Sequence, residues 1–168
     1  MNEFLPVGEL VHTETGGVRL GAILSIKTII PIIQKSYNDC GACCARMILR
    51  FHGVDATVET LALALMIDEV GTTALALVSV LRQFGVEALG ADIRGLNNMN
   101  LPHPSIIHWH GRHFVVLERA DRRRAVVVDP RVGRVSFPWP EFWRAATGVA
   151  IIVAAPHEIG SRPRSVLY

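Results

Sequence analysis

Gln34-Lys-Ser-Tyr-Asn-Asp39-Cys40-Gly41-Ala-Cys43-Cys44-Ala-Arg-Met47-Ile48-Leu-Arg-Phe51-His-Gly53 decides how the rest of the chain is read. Cys43, Cys44, Met47, Ile48 and Phe51 recur at helical spacing, so a helix with an apolar face is expected from about Cys40. Asp39 is a favoured N-cap type, and Gly53 stands where helices commonly stop. Downstream, Val58–Met66 reads as a second helix with Thr57 as its cap and Glu59 in its first turn. Ala74–Phe84 reads as a third, capped by Thr73 and ended by Gly85. After Gly85 the texture changes to short runs rich in Val, Ile and aromatics. Val86–Ile93, Ser105–His110, His113–Arg119 and Ala125–Asp129 are expected strands, with turns at Gly111-Arg112 and Asp121–Arg124. Glu141–Ala146 fits a short helix and Gly148–Ala154 a last buried strand. Helices first and an antiparallel meander afterwards make an α+β domain.

Upstream, residues 1–17 read as an irregular polar tail ending in Gly16-Gly17, and residues 18–33 are apolar without a clear period. No secretory signal opens the chain. Val18–Ile33, the nearest approach to a membrane segment, is interrupted by Arg19, Lys27 and Pro31, short of the roughly 18 uncharged residues required. The 168 residues fit one domain of ordinary size, and 50% hydrophobic with 19% charged residues excludes a disordered chain. Seventeen Lys and Arg against 15 Asp and Glu give a net charge of +2, which offers no charge-based case for nucleic acid as a partner. Arg122, Arg123 and Arg124 read as a solvated turn.

Chemistry concentrates on three cysteines within five residues, Cys40, Cys43 and Cys44. Their number and closeness disfavour mutual disulfides and suit a reducing compartment. They are therefore core filler, a metal site or a nucleophile. Cys43 and Cys44 fall on the apolar helix face and read as core. Cys40 sits at the helix start, where unpaired amides and the helix dipole favour a thiolate. Gly41 beside it leaves room for a substrate backbone. A thiolate needs a base, and His113 opens a strand. An imidazole needs an acceptor to hold its tautomer, and Asp129 ends the next strand. A short turn pairs those strands, which brings Asp129 near His113. Residue by residue the bland alternatives stand: a hairpin histidine and an ordinary Asp-Pro turn.

Gln34 through Cys43 resembles the catalytic box of the bacteriocin-processing, double-glycine leader peptidases. These are papain-like cysteine peptidase domains of peptide-exporting ABC transporters. Pro104-Ser-Ile-Ile-His108-Trp109 with His113-Phe-Val-Val-Leu117 resembles the family's histidine strand, and Asp129-Pro-Arg-Val-Gly133 its aspartate turn. Glu141-Phe142 and Thr147-Gly-Val-Ala150 resemble its closing segment. The four motifs stand in order at suitable spacing. The resemblance covers roughly residues 29–155, leaving 1–28 as an N-terminal extension and 156–168 as a tail.

This resemblance implies Cys40 as nucleophile, His113 as general base and later acid, Asp129 as its orienter and Gln34 as an oxyanion-hole donor. It implies no cofactor and no metal. The implied substrate is a ribosomally made precursor peptide, cut after the second residue of a Gly-Gly leader motif. The implied partners are the membrane and nucleotide-binding parts of an ABC transporter, in the same chain or as a separate protein. The implied location is the cytoplasm, at the cytoplasmic face of the inner membrane. Glycines fit a narrow channel that excludes side chains by clash. Trp109, preceding His113 on the neighbouring strand end, either walls that channel or is a core tryptophan. Leu10–Gly17 itself resembles the end of such a leader, so Gly16-Gly17 is either a flexible turn or a pseudosubstrate. Three rival readings remain: a catalytically inactive leader-binding domain, a papain-like transferase or amidase, and a metal module built on His103, His108, His110 and His113 with the thiols.

Overall fold

The computed structural model describes residues 27–154, together with two short strands, β1 (Val11–His12) and β2 (Val18–Arg19), that pair antiparallel. Gly16-Gly17 and the tail from Pro156 lie outside the described residues. The β1–β2 ladder modifies the expectation of an irregular tail over 1–17.

Three helices come first: α1 (Cys40–Phe51), α2 (Val58–Ala64) and α3 (Ala74–Gln83). The Thr57 hydroxyl accepts from the Thr60 amide and the Thr73 hydroxyl from the Ala76 amide, each taking one of the donors a helix start leaves open. Gly53 and Gly85 stop α1 and α3 at positive φ, +80° and +82°, where a Cβ would be strained. Asp39 departs from expectation. It occupies the N-cap position of α1, but its carboxylate accepts from the Ser36 amide instead of the helix. α1 is also more central than an amphipathic reading allows. All of Cys40–Ala45 and Met47–Leu49 are buried, leaving only Arg46 and the C-terminal turn to solvent.

A six-stranded antiparallel sheet follows: β3 (Glu87–Asp92), β4 (Ser105–Trp109), β5 (His113–Ala120), β6 (Arg124–Asp129), β7 (Gly133–Pro138) and, after helix α4 (Trp139–Ala145), β8 (Ala146–Ala154). Its spatial order is β3-β8-β4-β5-β6-β7. Two features differ from the sequence reading: β7 is an additional strand, and β8 inserts between β3 and β4, so the sheet is not a simple meander. Side chains alternate between faces along each strand. Ile106, Phe114, Val116, Val128 and Ile151 meet α1–α3 in one core. Ile107, Val115, Leu117, Val127 and Ala150 meet α4 in a second. The sheet thus lies between two apolar layers.

Candidate active site

Cys40 opens α1, His113 opens β5 and Asp129 closes β6. The register Val116↔Val128 brings the end of β6 beside the start of β5. His113 Nε2 lies 2.7 Å from Asp129 Oδ1. His113 is 2% exposed; Asp129 engages its Nε2, so the buried Nδ1 is the nitrogen left to face Cys40. Asp129 Oδ1 also accepts from the Arg131 amide at 2.8 Å, which fixes the carboxylate at the turn.

The electrostatics separate the three thiols. Burial alone would raise the Cys40 pKa. Hydrogen bonding from His113 and from the Phe114 amide, with the His113 charge and the Gly41 amide, outweighs burial and holds it below the ordinary thiol value. Burial pushes Cys43 up to about 12, and it pushes fully buried Cys44 well above the ordinary value. Raised thiols keep their protons, so of the three Cys40 is the one that ionises most readily. His113 is the counterpart. Burial would lower its pKa, but the hydrogen bonds to Asp129 and Cys40 raise it above the usual imidazole value. Asp129 is held low because His113 and the Arg131 amide outweigh the burial that would raise it. A lowered thiol facing a raised imidazole favours a thiolate–imidazolium pair.

The loop that carries Gln34 is docked beside this turn. The Gln34 amide donates to the Pro130 carbonyl at 2.8 Å, and the Arg131 guanidinium lies over the Tyr37 ring at 5.2 Å. The Gln34 side chain donates through Nε2 to the Ser36 and Tyr37 carbonyls, and its Oε1 is buried without a partner. Further upstream, the Ile29 amide donates to the buried Glu118 carboxylate at 2.8 Å. Arg134 pairs with that carboxylate and donates to the Ile29 carbonyl at 2.6 Å. Burial would raise the Glu118 pKa, but the Arg134 and Ile29 donors hold it low. This clamp spans β5, β7 and the approach to α1. It escaped sequence reasoning because β7 did.

A cleft of about 490 Å³ opens at Cys40, bordered by Asn38, Thr72, His108, Arg112 and Phe114. Two expected neighbours of the substrate are placed otherwise. Trp109 is 4% exposed in the second core, packed on Phe137 and Phe142, because alternation along β4 turns it to the face away from α1. The β4 residue that borders the cleft is His108, whose ring lies 5.1 Å from that of Phe114. Alternation counted back from a core Trp109 would have identified it. Gly41 gives no room to a ligand. A Cβ there would stand 2.3 Å from Thr72 Cγ2, so the space is filled by this protein's own α1–Thr72 packing.

The histidines of the metal reading are spread over separate partners. His103 Nδ1 bonds the Leu101 carbonyl, His108 Nδ1 bonds Thr147 Oγ1, and His113 bonds Asp129. Among the described residues no group of three His, Cys, Asp or Glu could hold a metal ion. Also among them, no helix is long and apolar enough to cross a membrane.

Comparison with known proteins gives one consistent answer. Residues 29–158 match the model of the peptidase C39 family. The chain is 26% identical over 140 residues to the lacticin-481/lactococcin-DR transport/processing ATP-binding protein of Lactococcus lactis, covering 80% of this chain and 20% of that protein. It is 30% identical over 129 residues to the pediocin PA-1 transport/processing ATP-binding protein of Pediococcus acidilactici, covering 72% of this chain and 18% of the other. An uncharacterised protein of Methanothermobacter thermautotrophicus is 30% identical over 129 residues, covering 76% of this chain and 89% of that one. The chain thus spans about a fifth of the transporter relatives but nearly all of the archaeal one. Among solved structures, a double glycine motif protease from an AMS/PCAT transporter, in complex with a leader peptide, superposes with a TM-score of 0.71. It is 29% identical, over 77% of this chain and 94% of that one. The peptidase domain of Streptococcus ComA shares the fold, with a TM-score of 0.68 at 23% identity over 75% of this chain and 98% of that one. With the helices, the six-stranded sheet and the thiol–imidazole–carboxylate arrangement already in place, these matches establish that the chain belongs to the peptidase C39 family of papain-like cysteine peptidases.

Proposed function

We propose that this chain is a cysteine endopeptidase that removes the leader of a ribosomally made precursor peptide by cutting after a Gly-Gly motif. The observation that carries the proposal is the division of labour on His113: Nε2 is held by Asp129, and buried Nδ1 is left to a thiol whose pKa is lowered. The relatives add the substrate class, since one solved neighbour is a double glycine motif protease with its leader peptide.

The chemistry follows from these residues. The Cys40 thiolate attacks the carbonyl carbon of the second glycine, and the carbonyl electron pair moves to oxygen. His113, protonated, gives its Nδ1 proton to the departing amine as the C–N bond breaks. A thioester on Cys40 remains. His113, now neutral, takes a proton from water, whose oxygen attacks the thioester; the leader leaves as a carboxylate and the thiolate–imidazolium pair returns. Asp129 holds the Nε2 proton and keeps the ring aligned. The Cys40 backbone amide and the Gln34 side chain are the oxyanion donors of this reading. Gln34 takes that role by exchanging one of its two loop carbonyls for the substrate oxygen. The work of such a protein belongs on the cytoplasmic side of a membrane, beside an ABC transporter that exports the product. It is joined to that transporter in one chain or meets it as a separate protein.

Incubation with a synthetic leader peptide ending in Gly-Gly, followed by mass spectrometry, tests the proposal. Cleavage after the second glycine is expected, with Cys40→Ala reducing it at least about 10³-fold and Gln34→Ala about 10²-fold. An intact peptide, or cleavage that survives Cys40→Ala, overturns it.

A further inference from the structure

The wall of the cleft holds a polar group that the chemistry above does not use. His108 is half-buried on β4, turned to the α1 side of the sheet with its ring against Phe114. Its Nδ1 lies 2.9 Å from Thr147 Oγ1. The Thr147 hydroxyl has one hydrogen, and it donates that hydrogen to the His108 carbonyl at 3.3 Å. Both contacts are hydrogen bonds at once only when Thr147 donates to the carbonyl and accepts from the ring, the arrangement that puts the ring proton on Nδ1 and a lone pair on Nε2. Burial lowers the His108 pKa and keeps the ring neutral. The outcome is a fixed hydrogen-bond acceptor at the edge of the cleft that contains Cys40.

A segment of two glycines offers an enzyme no side chain to grip. What it offers is main-chain amide donors and carbonyl acceptors, in a strand slim enough to lie against a flat ring. We infer that His108 is a substrate-positioning residue: its Nε2 accepts a main-chain N–H of one of the two glycines, while its ring, backed by Phe114, walls the cleft beside them. The inference rests on the Gly-Gly reading for the identity of the peptide. It also gives β8 a part in the site, because Thr147 sets the ring's tautomer from the neighbouring strand.

The test uses binding of the intact leader peptide to the Cys40→Ala protein, with and without His108→Phe. Each glycine of the pair is replaced in turn by glycolate. This ester keeps the chain's shape but removes one N–H. For one of the two positions, the ester is expected to weaken binding about five- to tenfold with His108 present, and to have no effect once His108→Phe is added. Equal loss in both proteins at both positions, or no loss in either, overturns the assignment. Changing the ligand keeps the test sound if His108→Phe weakens folding, because the ester effect is read first on the protein that retains His108. Wild-type protein that fails to cut the peptide, alongside intact coupling in the binding assay, overturns the peptidase proposal and leaves the His108 contact standing.

Discussion

Cys40, Cys43 and Cys44 lie within five residues, yet only the first has its thiol pKa lowered. The difference is an imidazole and two backbone amides within reach, and it governs the pH response. The pair is competent where the thiol has lost its proton and the imidazole has kept one. The Cys40 pKa is lowered and that of His113 raised, so kcat/KM is expected to rise through the lowered thiol value and to fall above the raised imidazole value. Asp129→Asn removes the carboxylate that raises His113. The alkaline limb is then expected to move to lower pH and the acid limb upward, narrowing the window. Iodoacetamide alkylation of Cys40 against pH reads the acid limb without a substrate, and the pH profile of peptide cleavage reads the alkaline one; unchanged limbs in Asp129→Asn would separate Asp129 from His113. Gly41 yields a second prediction. Alanine in place of glycine inside a helix is worth up to about 1 kcal/mol in helix propensity, whereas overpacking costs about 1–3 kcal/mol. With Thr72 Cγ2 only 2.3 Å from the new Cβ, the clash dominates. Gly41→Ala is expected to destabilise by about 1 kcal/mol, and Thr72→Ser in the same chain should recover it in urea unfolding, because the methyl in the way is gone.

At the scale of elements, the approach to α1 is held by one buried carboxylate. The Glu118 side chain is 5% exposed, and it meets Arg134 of β7 and the Ile29 amide. Removing one partner of a buried pair costs about 3–5 kcal/mol. Arg134 keeps 39% of its side chain exposed, so Arg134→Ala is expected to cost nearer about 2 kcal/mol. The sign of the pH dependence follows from Glu118, whose pKa is lowered by folding. Its contribution is present above the unfolded carboxylate value of about 4.3 and is lost as pH falls through the folded value. Urea midpoints from neutral to acid pH should therefore converge between wild type and Arg134→Ala as acid is reached; a constant gap would exclude this origin. The sequence concealed the clamp for a definable reason. Gly133-Arg-Val-Ser-Phe-Pro138 has the alternation of a strand but begins with Gly and ends with Pro, so it reads as the loop after Asp129. The helices were legible because their caps and stops are local signals, and Thr57, Thr73, Gly53 and Gly85 serve as read. Asp39 was legible in position only: nothing local tells that its carboxylate turns back to Ser36.

Across the whole molecule, legibility ends where pairing becomes remote. β8 closes the described chain but lies between β3 and β4, a placement set by which buried faces meet and not by any turn signal. The same placement divides the interior into two apolar layers, and sequence periodicity could not assign Trp109 to either. The catalytic candidates Cys40 and His113 meet where α1 abuts the start of β5, while Phe142, fully buried, anchors the layer under α4 on the opposite face. Ile48, equally buried, belongs to the helix that carries Cys40. Truncating either residue to Ala leaves a cavity and should cost about 3–4 kcal/mol, a large part of the roughly 5–15 kcal/mol by which domains of this kind are stable. The consequences for the site should differ. In protein that remains folded, Phe142→Ala is expected to keep the wild-type rate of Cys40 alkylation at neutral pH. Ile48→Ala, which loosens α1 itself, is expected to lower that rate severalfold at the same fraction folded. Equal losses from both substitutions would mean that the two layers are coupled through the sheet, so that the geometry at Cys40 depends on the packing of the molecule as a whole.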